Sequence, residues 1–128
     1  MKKFTPVLVV DSVEKSLPFW CDRLGFARQL EVPHGDRLGL VILTSGPVEV
    51  MLQSGASVGD DVPALAGDSF RSALFVEVSD LAPLRKATEG LPRLYEERTT
   101  AYGAREIGVR DPDGNAVILA QFGEGKRD

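Results

Sequence analysis

Cysteine and histidine are almost missing from this 128-residue chain: there is one of each, Cys21 and His34. A lone cysteine excludes an intrachain disulfide and fits a reducing compartment. Its ordinary place is a buried helix position. His34 lies in Pro33-His34-Gly35-Asp36, which reads as a turn, so it is taken as a solvated loop residue rather than a lone metal ligand. No Cys/His pair, no G-x-S-x-G elbow and no glycine-rich phosphate loop is present. Long apolar runs are lacking too: none approaches the ~20 residues of a membrane span, so no membrane partner is expected. The stretch from Met1 to Pro6 leads into a short apolar strand rather than a signal-peptide core, and a cytoplasmic location is expected. Basic residues are outnumbered, 15 Lys and Arg against 19 Asp and Glu, for a net charge of −4 and a pI of about 5.0. A nucleic-acid footprint would be basic, so no nucleic-acid partner is expected. The balance mildly favours neutral or cationic small partners.

What is there is the composition of an ordinary globular domain, 43% hydrophobic and 27% charged, at a length natural for a single domain. An internal repeat is visible. Leu8 and Val10 align with Val76 and Val78, while Leu17, Leu24, Ile42, Val50 and Leu52 align with Leu84, Leu91, Val109, Val117 and Leu119. Each copy reads as strand, helix, then three strands. In the first copy, residues 4–10 are a strand. Ser12 caps a helix with Glu14 in its first turn, whose apolar stripe is Val13, Leu17, Trp20, Cys21 and Leu24 and whose stop is Gly25. Pro18 inside that helix predicts a kink or a distorted turn. Strands follow at 26–32, 38–44 and 48–53. The Gly-, Asp-, Ala- and Ser-rich stretch 54–69 reads as a linker with one short turn around Pro63. Module one then spans about 4–54, the linker 55–69 and module two about 70–122. The second copy has a strand at 70–78 and a helix capped by Ser79 or Asp80 and ended by Gly90. Strands at 93–98, 105–110 and 116–122 complete it, and the polar tail 123–128 is expected to fray.

Period-two reading assigns one sheet face to Leu8, Val10, Val50, Leu52, Leu74, Val76, Val78, Val117 and Leu119, all aliphatic and requiring helical cover. The other face carries Thr5, Val7 and Val9; Glu49, Met51 and Gln53; Ala73, Phe75 and Glu77; and Ala116, Ile118 and Ala120. A mixed surface of this kind suits a small-molecule site; a dimer interface or a partly wet barrel interior would also accept it.

Several segments together resemble the vicinal oxygen chelate superfamily, the glyoxalase, bleomycin-resistance and extradiol dioxygenase group. They are Val7-Leu8-Val9-Val10-Asp11, Ser16-Leu17-Pro18-Phe19-Trp20 with Leu24-Gly25-Phe26, Tyr102-Gly103-Ala104-Arg105, and Arg110-Asp111-Pro112-Asp113-Gly114-Asn115. Pro18 departs from the usual helical motif. The resemblance covers about residues 4–122. It implies an α+β fold of two βαβββ modules forming an open, cupped eight-stranded mixed barrel, usually in a homodimer. Metal-dependent members hold a divalent ion through His, Glu or Gln at four strand positions. The matching residues here are Thr5, Met51, Ala73 and Ile118, none of them a useful ligand. No metal and no cofactor are therefore expected, and no catalytic residue is assigned. Metal-free members mostly bind and sequester bulky compounds, including bleomycin-like and mitomycin-like antibiotics. The expected ligand surface is Thr5, Val7, Glu49, Met51, Ala73, Phe75, Glu77, Tyr102, Arg105 and Ile118, taking a flat, largely apolar molecule that is neutral or cationic. Glu49 and Glu77 are its expected counter-charges unless the chain's own arginines, such as Arg71 or Arg105, neutralise them. An enzyme using Glu49 or Glu77 as a base or in an atypical metal site, and a structural dimer with a self-filled cup, remain the alternatives.

Overall fold

The computed structural model describes residues 1–68 and 70–123. Ser69, the end of the expected linker, and residues 124–128 of the expected fraying tail lie outside it. The chain divides into two compact units, Met1–Phe70 and Arg71–Asp128. Each has its own four-stranded mixed sheet.

In the first unit, β1 (Val7–Val10) leads to α1 (Val13–Leu17), β2 (Ala27–His34), β3 (Arg37–Ser45) and β4 (Val48–Ser54). Their order in the sheet is β1-β4-β3-β2, with β1 parallel to β4 and the other pairs antiparallel. Ser12 holds extended backbone, and its Oγ accepts the Lys15 N–H at 3.2 Å. The Glu14 carboxylate accepts the Leu38 N–H at 2.8 Å, which ties α1 to β3 and holds that carboxyl below its usual range. Pro18 has no N–H to continue an α-helix, and from Pro18 to Arg23 the chain widens into a π-helical turn. There the Leu24 N–H reaches back five residues to the Phe19 carbonyl. The distortion is compatible with a full core: Val13 and Trp20 are buried, with Trp20 packed edge-on against Phe19 and Phe26 at 5.2 and 5.6 Å between centroids. Cys21 is only half-buried, not the core residue expected.

Residues 55–61, read from sequence as irregular linker, form a helix, α2 (Gly55–Asp61). Ser54 caps it by accepting the Ser57 N–H, and Val58 buries one side. The one apolar anchor in a Gly/Asp/Ala/Ser stretch is too little periodicity to read as a helix. A 3₁₀ turn at Pro63–Leu65 follows, near the expected turn.

In the second unit, β5 (Ala73–Glu77), α3 (Ala82–Ala87), β6 (Arg98–Thr99), β7 (Ala104–Arg110) and β8 (Ala116–Phe122) build the sheet β5-β8-β7-β6. β5 is parallel to β8. Asp80 Oδ1 accepts the Ala82 N–H at 3.1 Å, just ahead of α3. The strand expected at 93–98 is not continuous. Arg93 makes one bridge to Val109, and the chain then runs irregularly to Arg98. The reason is a spacing of three: Tyr95 and Arg98 both reach Glu106, which an extended strand with its alternation of two would forbid.

The aliphatic faces assemble as their alternation requires. Leu8, Val10, Val50 and Leu52 are buried in the first unit, and Ile107, Val109, Val117 and Leu119 in the second. Leu74, Val76 and Val78 stay half-buried, because α3 is only six residues long and none of its own residues is buried. The Asp-Pro-Asp-Gly-Asn segment is a knot between β7 and β8. Asp111 Oδ1 accepts the backbone N–H of Asp113 (3.0 Å) and Asn115 (2.8 Å), and Oδ2 accepts from Asn115 Nδ2 (2.8 Å). Asn115 Oδ1 in turn accepts the Ser72 N–H at 2.7 Å, just before β5. Gly114 has φ +88°, a left-handed conformation that favours glycine.

On the surface of this unit Glu97 bridges Arg85 (2.7 Å) and Arg105 (2.8 Å). Hydrogen bonds first from Arg85 and then from Arg105 hold its carboxyl down, to about 2 from an ordinary 4.5. A depressed carboxylate stabilises the fold fully above its unfolded value, and loses that contribution as pH falls through the folded one. The melting temperatures of wild type and Glu97→Gln are therefore expected to differ above pH 4.5 and to converge as pH falls to about 2. The gap will be modest, because half-exposed arginines are screened by solvent. Parallel melting curves across the whole range would show that the bridge contributes nothing.

Candidate functional site

Opposite the aliphatic face of each sheet lies a second face, and its register follows from the strand pairing. In the first unit, Val7 stands beside Met51 on β4 and Met51 beside Ile42 on β3. Thr5 precedes β1 and donates from Oγ1 to Glu49 Oε2 at 2.8 Å, while Lys3 Nζ sits 2.9 Å from the same oxygen. Lys3 first and Thr5 second hold the Glu49 carboxyl below its usual range. Glu49 is thus already paired, by Lys3 rather than by Arg71 or Arg105. Val7, and Leu30 and Val32 on β2, leave 42–50% of their surface open.

The second unit is richer. Ala73 pairs with Ala116, Phe75 with Ile118 and Glu77 with Ala120 along β5 and β8. Phe122, at the end of the same alternation, stands opposite Ala104 on β7. Phe75, Tyr102 and Phe122 form an aromatic trio, with ring centroids 6.0–6.2 Å apart and tilted planes. Phe75 is 46% and Tyr102 54% exposed, so the trio presents open ring surface.

Beside this trio is a carboxylate that the sequence reading did not single out. Glu106 on β7 pairs with Ala120, which puts it on the same face, and it has no exposed surface. Tyr95 Oη donates to Glu106 Oε1 at 3.1 Å, Arg98 Nε reaches the same oxygen at 3.2 Å, and Tyr102 Oη donates to Oε2. Arg98 also stacks over the Tyr95 ring, 3.7 Å from its centroid. Gly108 makes room for this arrangement: a Cβ there would stand 3.0 Å from the Tyr95 ring. Burial first and then the Glu106 bond push the Tyr95 phenol up; for Tyr102 the Glu106 bond is the leading cause. Neither phenol is primed to ionise.

Arg105, the last expected site residue, and three other residues singled out in the sequence are placed as follows. Arg105 faces the other way from Glu106 on β7 and is engaged by Glu97 and Thr99. Arg71 lies against the turn at Gly114. His34 ends β2 and sits 2.6 Å from Asp60 of α2, so it is a paired strand-end residue rather than a free loop residue. Burial pushes the Cys21 thiol up, away from nucleophilic thiolate chemistry.

The four positions where metal-dependent relatives would place ligands carry a hydroxyl, a thioether, a methyl and a sec-butyl group: Thr5, Met51, Ala73 and Ile118. That donor set does not fit a divalent ion. The neighbouring carboxylates are committed, Glu49 to Lys3 and Thr5 and Glu106 to Arg98 and two phenols. No described helix is long and apolar enough to cross a membrane.

Residues 4–119 match the sequence model of the Glyoxalase/Bleomycin resistance protein/Dioxygenase superfamily. A bleomycin resistance protein of Geobacillus stearothermophilus is 27% identical over a 140-residue alignment covering 94% of this chain and 97% of that one. A bleomycin resistance protein of Staphylococcus aureus matches to the same extent. Among solved structures, TioX from Micromonospora sp. ML1 superposes with a TM-score of 0.76 at 19% identity, covering 94% of this chain and 98% of that one. Lactoylglutathione lyase from Agrobacterium tumefaciens does so with 0.75 at 18% identity, covering 94% of each. These structural likenesses concern the fold.

Proposed function

Because the chain belongs to the Glyoxalase/Bleomycin resistance protein/Dioxygenase superfamily, we propose that it is a metal-free small-molecule binding protein of the bleomycin-resistance kind, which sequesters a flat aromatic compound without transforming it. The observation that carries this reading is the open aromatic trio Phe75, Tyr102 and Phe122, on a sheet face whose neighbours Ala73 and Ala116 are small. Half-exposed rings at this spacing suit stacking against a planar ligand. Ile118 extends the apolar surface, and Val7 and Met51 offer another on the first sheet. The name of the bleomycin resistance proteins supports the ligand class by kinship. A cytoplasmic homodimer without nucleic-acid or membrane partners belongs to the same proposal; the acidic charge and the exposed Leu30 and Val32 of β2 support it.

The enzyme alternative would need a free base or a metal at Glu49 or Glu77. Glu49 counts against it, since Lys3 and Thr5 already hold it.

The test is a thermal-shift screen of planar aromatic antibiotics and dyes, bleomycin included, alongside Ni²⁺, Zn²⁺, Fe²⁺ and Mn²⁺. A ligand at 100 times its Kd should raise stability by about 2.7 kcal/mol. Phe75→Ala is expected to weaken aromatic hits about 3- to 10-fold, the equivalent of one lost ring contact. Shifts given by a metal alone, or aromatic hits indifferent to Phe75→Ala, would overturn the reading.

A further inference from the structure

We propose that Glu106 is a latched polar anchor within this aromatic surface, and that the ligand it takes is a planar aromatic carrying an N–H or O–H donor at its edge. The inference rests on the binding reading above and names its ligand class. A carboxylate without exposed surface needs donors on both oxygens, because an uncompensated charge away from water is strongly unfavourable. Here the two oxygens are covered unequally. Oε1 receives Tyr95 and Arg98, and those two donors are locked together by the stacking of the guanidinium on the Tyr95 ring. Oε2 receives Tyr102. Tyr102 is the donor whose ring is mostly open, 54% exposed, and it belongs to the aromatic trio.

The same side chain is therefore both a ring of the stacking surface and the cover of a buried acceptor. When a planar molecule enters against Phe75 and Phe122, turning Tyr102 outward uncovers Oε2 at the edge of the stack. That oxygen then requires a replacement donor. A ligand with an edge N–H supplies it; one without leaves a buried acceptor unmade, and must bind with Tyr102 in place. Arg98 stays on Oε1 throughout and keeps the carboxylate neutralised, so the selection is for a donor rather than for positive charge.

The test compares two flat cationic dyes built on one permanently charged ring system with no ring N–H: thionine, whose exocyclic amines carry N–H, and methylene blue, whose amines are fully methylated. Tyr102→Phe keeps the ring and removes the latch. Thionine no longer has to displace a protein hydrogen bond, only water, and is expected to bind about 3- to 10-fold tighter to the variant, the worth of one such bond. Methylene blue should bind wild type and variant alike. Tyr95→Phe removes a donor from Oε1 without opening Oε2, and is expected to shift both dyes by the same factor. Glu106→Gln, compared at matched melting temperature, should abolish the preference for thionine. If Tyr102→Phe weakens thionine, or changes both dyes by one factor, the latch is overturned while the binding reading stands. If neither dye binds the wild-type chain, both fall.

Discussion

Trp20→Ala is expected to destabilise the protein by about 3–5 kcal/mol, the usual range for removing a large aromatic from a core. Trp20 is 1% exposed and lies edge-on between Phe19 and Phe26, so its loss removes two aromatic contacts and opens a void that the flanking rings cannot close without leaving their own positions. The π-helical turn from Pro18 to Arg23 amplifies the effect, because its widened backbone is held in place by the residues it buries, Phe19 and Trp20. Trp20→Phe, which keeps a ring, should cost less than half as much. The measurement is urea unfolding followed by circular dichroism. A loss below about 1 kcal/mol, the scale of a substitution that leaves the core intact, would mean that the turn does not depend on its indole.

Asp111→Ala is the second large effect, about 2–3 kcal/mol, since three donors converge on this buried carboxylate and hydrogen bonds to a charged acceptor are the stronger kind. The change strips acceptors from Asp113 N, Asn115 N and Asn115 Nδ2, and it frees Asn115 from the geometry that lets its own oxygen hold Ser72. β5 begins one residue later and carries Phe75, so binding of aromatic probes should fall together with stability. Asp111→Asn retains an oxygen for the backbone donors but turns its amide NH2 toward the Asn115 Nδ2 donor, and about 1 kcal/mol is expected for that one mismatch. Equal melting temperatures for wild type and Asp111→Ala would show that Pro112 and Gly114 form the turn unaided.

Much of this architecture was legible because the aliphatic alternation is uninterrupted. Leu8, Val10, Val50 and Leu52 share one face of the first sheet and Val117 and Leu119 the corresponding face of the second, and the repeat at a nearly constant offset doubles the signal. The register agrees residue by residue, with Leu8 beside Leu52 and Val76 beside Leu119. Phe75 and Tyr102 were legible as aromatic walls, and they stand together in the second unit. Phe122 was missed although it continues the alternation of Ala116, Ile118 and Ala120. Glu106 sits in a strand, 105–110, whose two faces separate only once Ile107 and Val109 are assigned to the aliphatic side; Glu106 must then lie opposite. Tyr95 and Arg98 had no comparable signal. Their convergence depends on an irregular path fixed by Glu106, which lies 11 residues beyond Tyr95 and 8 beyond Arg98, and by Gly108 just after it, and no local periodicity encodes it. The helix α2 was hidden for a related reason, since a single valine among glycine, alanine, serine and aspartate carries no stripe.

β2 ends the strand order of the first sheet and runs for eight residues, all of them exposed except His34, with Leu30 and Val32 about half open. Such a strand would ordinarily be a template on which another chain could grow a fibril-like ribbon. Two irregularities work against that. The pairing slips between Arg28 and Leu30 and again between Val32 and Pro33, and a proline offers no N–H to an incoming strand. The straight stretch available to a newcomer is therefore only the three residues from Leu30 to Val32, too short for the six- or seven-residue segments that aggregates favour. The edge thus keeps Leu30 and Val32 open while offering an incoming strand little regular length to pair with.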